Sequence, residues 1–125
     1  MSKPNIVVGD TDYVRLTDLA NAAFERMPAV AETLLAELGR ANVRADRLLS
    51  DDIVRMGSAV EFETSDGARR RVTLVYPADA DIAENKVSIL TPVGTALLGL
   101  TTGQSIDWIA NDGRLLRLRI VAVGE

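Results

Sequence analysis

The apolar residues of this chain change their spacing once, and that change limits the folds open to it. Between Asp12 and about Ala41 they recur at three- and four-residue steps: Tyr13, Leu16, Ala20, Ala23, Phe24 and Met27, with Leu19 widening the stripe. That is the period of a helix burying one face. From Gly57 the period is two, with Val60 and Phe62 alternating with Glu61 and Glu63 as in a half-buried strand. Helices first and strands afterwards predict an α+β chain.

Pro28 divides the helical part, because its ring cannot continue a helix but suits the first turn of a new one. The second helix reads Ala29 to Ala41, with Ala31, Leu34, Leu35 and Leu38 on one face and Gly39 and Asn42 as stop signals. Asp10 and Asp12 supply cap or first-turn charge to the first helix. The economical arrangement is a short antiparallel helical hairpin with its tip at Phe24–Pro28. Each arm of roughly a dozen residues reaches about 18–20 Å. Val43 to Met56 reads as a charged connector, pinned by Leu48, Leu49, Ile53 and Val54.

In the second part, Ser65-Asp66-Gly67 is a turn and Arg70 to Tyr76 a strand. Pro77 to Asn85 is a polar loop, and Val87 to Leu90 a third strand. Thr91 and Pro92 open a short helix through Leu98, with Gly99 suited to a left-handed end. Ser105 to Ile109, a turn at Asn111-Asp112-Gly113 and Leu115 to Val123 complete a small antiparallel β-sheet domain with one short helix. The expected division is 1–51, hairpin and connector, and 52–125, the β-rich domain.

Composition then narrows the chemistry. With no cysteine and no histidine, the chain can build neither a thiolate nucleophile, a Cys-ligated zinc site nor a catalytic triad. The net charge of −4 is spread evenly, nine acids and seven bases up to Arg55 and the same after it. Neither part offers the cationic face that nucleic-acid phosphates require. Ile6–Val8 is too short for a signal-peptide core, and the low-charge run Val87–Ile106 is broken by Pro92, Gly94, Gly99 and Gly103. A cytoplasmic protein that does not enter membranes is expected.

Other clusters read blandly. Asp79, Asp81 and Glu84 share a loop, but their spacing fits no calcium loop, and a solvated loop is the simpler reading. Arg69 and Arg71 fall on one strand face and Arg70 on the other, as at a solvated edge. Arg117 and Arg119 likewise share a strand face. Phe62, Tyr76 and Trp108 are expected in the core.

The segment Lys86-Val87-Ser88-Ile89-Leu90-Thr91-Pro92-Val93-Gly94-Thr95-Ala96-Leu97-Leu98-Gly99-Leu100 resembles the strand–SP–helix signature of bacterial Gre-type transcription factors. The match is closer to the Rnk family, regulators of nucleoside diphosphate kinase. It rests on Asp52-x-Val54-x-Met56-x-Ser58-x-Val60-x-Phe62, on Thr73-Leu74-Val75-Tyr76-Pro77-Ala78, and on Gly103-x-Ser105-Ile106-x-Trp108. Asp10-x-Asp12-x-x-Arg15 and Leu35-Ala36-Glu37-Leu38-x-Arg40-Ala41 extend it to the N-terminal part.

The resemblance implies an FKBP-like fold for the β-rich domain and a transcription regulator that binds RNA polymerase near its secondary channel. In Gre factors, acidic residues at the hairpin tip help hold a catalytic Mg²⁺. Here the hairpin is shorter and its tip has Glu25 alone, beside Arg26. Binding without stimulated transcript cleavage is therefore expected, in competition with Gre factors, with no enzyme activity, metal or cofactor. Thr91, Pro92 and Val93 are the expected partner-binding residues, with Glu25 as a further candidate. Leu90 stands where Gre proteins often have a polar or acidic residue. Thr91 and Pro92 are expected to be exposed on the face next to the hairpin. A monomer or weak dimer is expected. The alternatives are an FKBP-like interaction module with another protein target, or a weak prolyl isomerase.

Overall fold

The computed structural model describes residues 4–109 and 112–124. Strand β1 (Val7–Gly9) leads into helix α1 (Asp10–Ala23), and residues 24–27 connect it to helix α2 (Pro28–Arg40), which leads into strand β2 (Asn42–Arg44). Pro28 is at the start of α2, where its missing N–H costs no bond. The helix ends at Arg40 with Ala41 as its cap, within one residue of the expected end, Gly39 lying in its last turn. Gly9 is the cap of α1, and Asp10 and Asp12 fall in its first turn as favourable charge.

β1 and β2 pair in parallel, Val7 opposite Asn42 and Gly9 opposite Arg44. Sequence reading missed both, taking Val43 as connector. Three-residue strands are too short to show a period. The connector also holds a 3₁₀ turn, Asp46–Leu48. Only Ile53 and Val54 of its four apolar residues are buried, and Leu48 is exposed.

The second sheet is formed by β3 (Ala59–Thr64), β4 (Arg69–Val75), β5 (Lys86–Ser88), β6 (Ser105–Ile109) and β7 (Leu115–Val123), in the order β5-β4-β3-β7-β6. It is not wholly antiparallel: β5 runs parallel to β4, Thr73 opposite Lys86 and Val75 opposite Ser88. The strand expected at Val87–Leu90 stops at Ser88, and Ile89 and Leu90 are buried in the turn into α3 (Pro92–Leu97). The turn expected at Asn111 lies partly outside the described residues.

One apolar core joins both parts. Ile6, Leu16, Ala20, Leu34 and Leu38 pack with Phe62, Leu74, Leu97, Leu118 and Ile120. Phe24 and Met27 follow the end of α1 and are exposed, although their spacing continued its stripe. Gly99 couples the parts. Its φ of +79° suits glycine, and a Cβ there would lie 2.8 Å from Cβ of Ile6. Its carbonyl accepts from the Val7 N–H at 3.1 Å, and its N–H donates to Val54 at 2.8 Å.

Candidate functional site

The junction from Ser88 to Thr95 is tied together by its own side chains. The Thr91 hydroxyl donates to the Ser88 carbonyl at 2.7 Å and accepts from the Gly94 N–H at 3.1 Å, capping α3. The Ser88 hydroxyl accepts from the Leu90 N–H at 3.0 Å, and the Thr95 hydroxyl donates to the Ile89 carbonyl at 2.8 Å. Gly94 is needed because a Cβ would come within 2.2 Å of the Ser88 carbonyl oxygen. A turn this fully bonded holds Pro92 and Val93 in a fixed position. Thr91 and Pro92 are half-buried, not exposed as expected, because α2 lies alongside, and Val93 is half-buried too.

A cleft of about 410 Å³ opens between α2, the start of α3 and β6. Val30, Pro92, Ala96 and Trp108 give it an apolar lining. A second cleft, of about 440 Å³, lies between the end of α1 with the interhelical connection and the turns that follow β4 and β5. Arg26 and Met27 border it on one side, Pro77 and Leu90 on the other. The helical tip is thus folded beside the junction rather than standing away from it. Glu25, in the same connection, is exposed and lines neither cleft.

The motif residues Asp12, Arg15, Met56 and Tyr76, far apart in sequence, meet where α1 joins the sheet. The Asp12 carboxylate accepts from the Met56 N–H at 3.3 Å and from the Tyr76 hydroxyl at 3.4 Å. The Arg15 guanidinium lies 4.4 Å from the centre of the Tyr76 ring. Burial lifts the Asp12 carboxyl above the ordinary aspartate range, outweighing the lowering effect of its two hydrogen bonds. Burial, with the Asp12 charge behind it, also raises the Tyr76 hydroxyl. Tyr76 therefore joins arm and body at the margin of the core, and only Phe62 of the three expected core aromatics is fully buried.

Glu37, a residue of the N-terminal motif, is 2% exposed. Arg40 grips it with two bonds, Nη2 to Oε1 at 2.7 Å and Nε to Oε2 at 3.1 Å, and also donates to the Pro4 carbonyl. Buried charge of this kind is tolerated because it is paired. The i, i+3 spacing of Glu37 and Arg40 was the available signal.

Arg69, Arg71, Arg117 and Arg119 are partnered on the outer face of the sheet. Arg119 reaches Glu63 at 2.5 Å, Arg69 reaches Glu63 at 3.3 Å and Glu61 at 3.5 Å, and Arg117 reaches Asp107 at 3.1 Å. The hydrogen bond and charge of Arg119 hold the Glu63 carboxyl below its ordinary range. β5 covers only Thr73–Val75, so the Arg69–Arg71 half of β4 has an open outer edge. In the acidic loop Asp81 accepts from the Ala83 N–H at 3.1 Å. Among the described residues no three acidic side chains gather as metal ligands would. No helix among them is long and apolar enough to cross a membrane.

Comparison with known proteins adds a family frame. The family described as transcription elongation factor, GreA/GreB, C-term matches residues 49–125, and that described as Rnk N-terminus matches residues 4–43. The chain is 39% identical over 123 residues to the regulator of nucleoside diphosphate kinase of Escherichia coli K12, covering 97% of this chain and 90% of that protein. It is 44% identical over 68 residues to GreA of Nitratidesulfovibrio vulgaris, covering 54% of this chain and 42% of that factor. A solved GreA/GreB structure from Nitrosomonas europaea superposes with a TM-score of 0.77 at 40% identity, covering 98% of this chain and 100% of that one.

Proposed function

Because the chain belongs to the GreA/GreB C-terminal family and has the Rnk N-terminus ahead of that domain, we propose that it is a cytoplasmic, non-enzymatic regulator that binds RNA polymerase near the secondary channel and competes there with Gre factors without stimulating transcript cleavage. Its membership among Gre-like transcription factors rests on the whole chain, since both parts match. The polymerase, its port and the absence of cleavage are the further step.

The observation that carries this step is the form of the arm. α1 has 14 residues and α2 has 13, so the arm reaches about 20 Å. Its connection holds one carboxylate, Glu25, next to Arg26. A loosely held Mg²⁺ needs several hard oxygen ligands, and a neighbouring cation opposes it. The tip residues Arg26 and Met27 also border a cleft with Leu90, so the arm's length is spent against the body.

In this reading residues 52–125 form an FKBP-like docking body and residues 1–51 the arm that occupies the port. Pro92 and Val93, held by the Thr91 cap, meet the polymerase rim, and Glu25 adds a weaker contact. The protein acts as a monomer or weak dimer without metal or cofactor. A prolyl isomerase has less support, because Phe62 is buried, Tyr76 is engaged by Asp12 and Arg15, and these do not converge on one aromatic pocket with Trp108.

The test is co-purification with core polymerase, with and without a Gre factor, followed by a transcript-cleavage assay. Association that a Gre factor displaces, with cleavage at the basal level, is the expected result. No association at micromolar protein removes the reading.

A further inference from the structure

The place beside β4 is only half filled. β5 lies along Thr73–Val75, and the chain leading into it turns away at Asn85, whose φ is +56°. Among the described residues no strand pairs with Arg69–Arg71 on that side. The even-numbered positions bond to β3: the Leu74 N–H donates to Ser58 at 3.0 Å, and the Ala68 carbonyl accepts from Thr64 at 2.8 Å. The odd-numbered ones face the other way, since the Thr73 N–H donates to Asn85 and the Val75 carbonyl accepts from Ile89, both at 2.9 Å. The N–H and C=O groups of Arg69 and Arg71 therefore point into the vacant half, with no partner among the described residues.

That half is also cationic. On the outer face Arg69 and Arg71 divide Glu61 between them, and Arg69 shares Glu63 with Arg119. Arg70, across from Phe62 on the other face, is exposed and makes no ion pair with a described residue. Four arginines thus share two carboxylates, on a chain whose net charge is −4. Asp79, Asp81 and Glu84, in the loop that leads into β5, form no ion pair with them.

We propose that this edge binds an extended acidic segment of another protein, which continues the line of β5 beside Arg69–Arg71. An extended backbone brings both the acceptors and the donors that the open groups of Arg69 and Arg71 need. Its carboxylates meet guanidinium groups whose own partners are shared or absent. Charge selects this occupant over the others. A second copy of the chain would set Arg69–Arg71 against the same three arginines, and like charges directly opposite each other resist pairing. A nucleic-acid backbone offers phosphate acceptors but no regular row of donors for the two carbonyls. The edge is about 10 Å long, three residues of strand, so binding is modest and depends on charge. The site uses none of the residues assigned to the polymerase contact, so it is tested on the free protein with no polymerase present.

The probe is an acetylated and amidated peptide, Thr-Glu-Thr-Glu-Thr-Glu-Thr. One control has lysine in place of every glutamate, a second has proline in place of the central glutamate, and a third is an oligothymidylate of similar length. Each is titrated into the full-length chain and followed by amide NMR shifts and hydrogen exchange. Saturable shifts confined to Arg69–Arg71 and the start of β5, with slowed exchange of the Arg69 and Arg71 amides, are expected from the acidic peptide. The lysine and proline peptides should each bind about tenfold more weakly or worse, and raising salt from about 0.05 to 0.5 M should weaken the acidic peptide several-fold. Arg70→Glu, at an exposed and unpaired position, weakens binding about tenfold with an unchanged melting temperature. If that variant unfolds, Arg70→Gln serves in its place, with a loss of about threefold. No saturable shift at about 1 mM peptide, equal binding of either control peptide, tighter binding of the oligothymidylate at the same residues, shifts elsewhere on the protein, or a free chain that sediments as a dimer with the Arg69 and Arg71 amides protected each overturns the proposal.

Discussion

The guanidinium of Arg15 lies 4.4 Å from the centre of the Tyr76 ring, stacking the first turns of α1 on the end of β4. Asp12, one helical turn earlier, accepts from the same tyrosine's hydroxyl at 3.4 Å. One aromatic side chain thus receives two residues of a single helix and fixes how the arm meets the sheet.

This contact has a measurable coupling. Arg15→Met and Tyr76→Leu, singly and together, form a double-mutant cycle read by urea denaturation. A coupling of about 0.5–1 kcal/mol is expected for a half-buried cation–π pair. Additive losses would mean that the stacking contributes nothing.

Asp12 gives a pH dependence of unusual sign. Its folded value is raised above 3.8, so the folded protein holds its proton more tightly than the unfolded chain does. Its contribution is therefore fully present below the unfolded value and lost as pH rises through the folded one. Asp12→Asn lacks this term but keeps an acceptor for Met56 and Tyr76. The stability of the unaltered protein relative to Asp12→Asn falls as pH rises from about 3 to above the ordinary aspartate range. Urea midpoints over that range check it, and a difference that grows with pH refutes it. Glu63, with its value lowered by Arg119, has the opposite sign, its stabilisation being lost as pH falls.

Two glycines separate backbone strain from crowding. Gly99 and Gly103 both have positive φ, +79° and +90°. A Cβ at Gly99 strikes Ile6, whereas at Gly103 it meets nothing within 4 Å. Gly103→Ala should cost about 1 kcal/mol, within the range for a non-glycine residue in the left-handed region. Gly99→Ala should cost about 3 kcal/mol or more, because the overlap adds to the strain. Thermal and urea denaturation measure both, and equal losses would show that Ile6 moves aside freely.

The proposed polymerase contact predicts a graded response. Pro92→Arg and Val93→Arg should weaken association with core polymerase by about tenfold or more, as central contacts do, and Glu25→Ala by about threefold or less. Pull-down titrations at fixed ionic strength check the order. Binding unaffected by the changes at Pro92 and Val93 would move the contact elsewhere.

How much of this was legible beforehand depended on distance along the chain. Ser105–Ile109 and Leu115–Val123 declared themselves by alternation, and the Thr91 cap with Pro92 behind it by local chemistry. What stayed hidden was non-local or too short to have a period. β1 and β2 have three residues each, and nothing in Lys86–Ser88 states that β4 beside it runs in the same direction. Ile89 and Leu90 extended an apolar run that turned out to be a buried corner, because burial alone does not distinguish strand from turn. The junction residues of the candidate site were named from sequence, but the cleft beside them was not. It needs α2 and β6, whose adjacency only the fold creates.

The tie between Val7 and Gly99 bears on the order of events during synthesis. The amide of Val7 leaves the ribosome well ahead of the carbonyl of Gly99 that it bonds in the folded protein. β1 can meet β2 as soon as the two helices between them have formed, but its bond to the β-rich domain closes only when Gly99 has emerged.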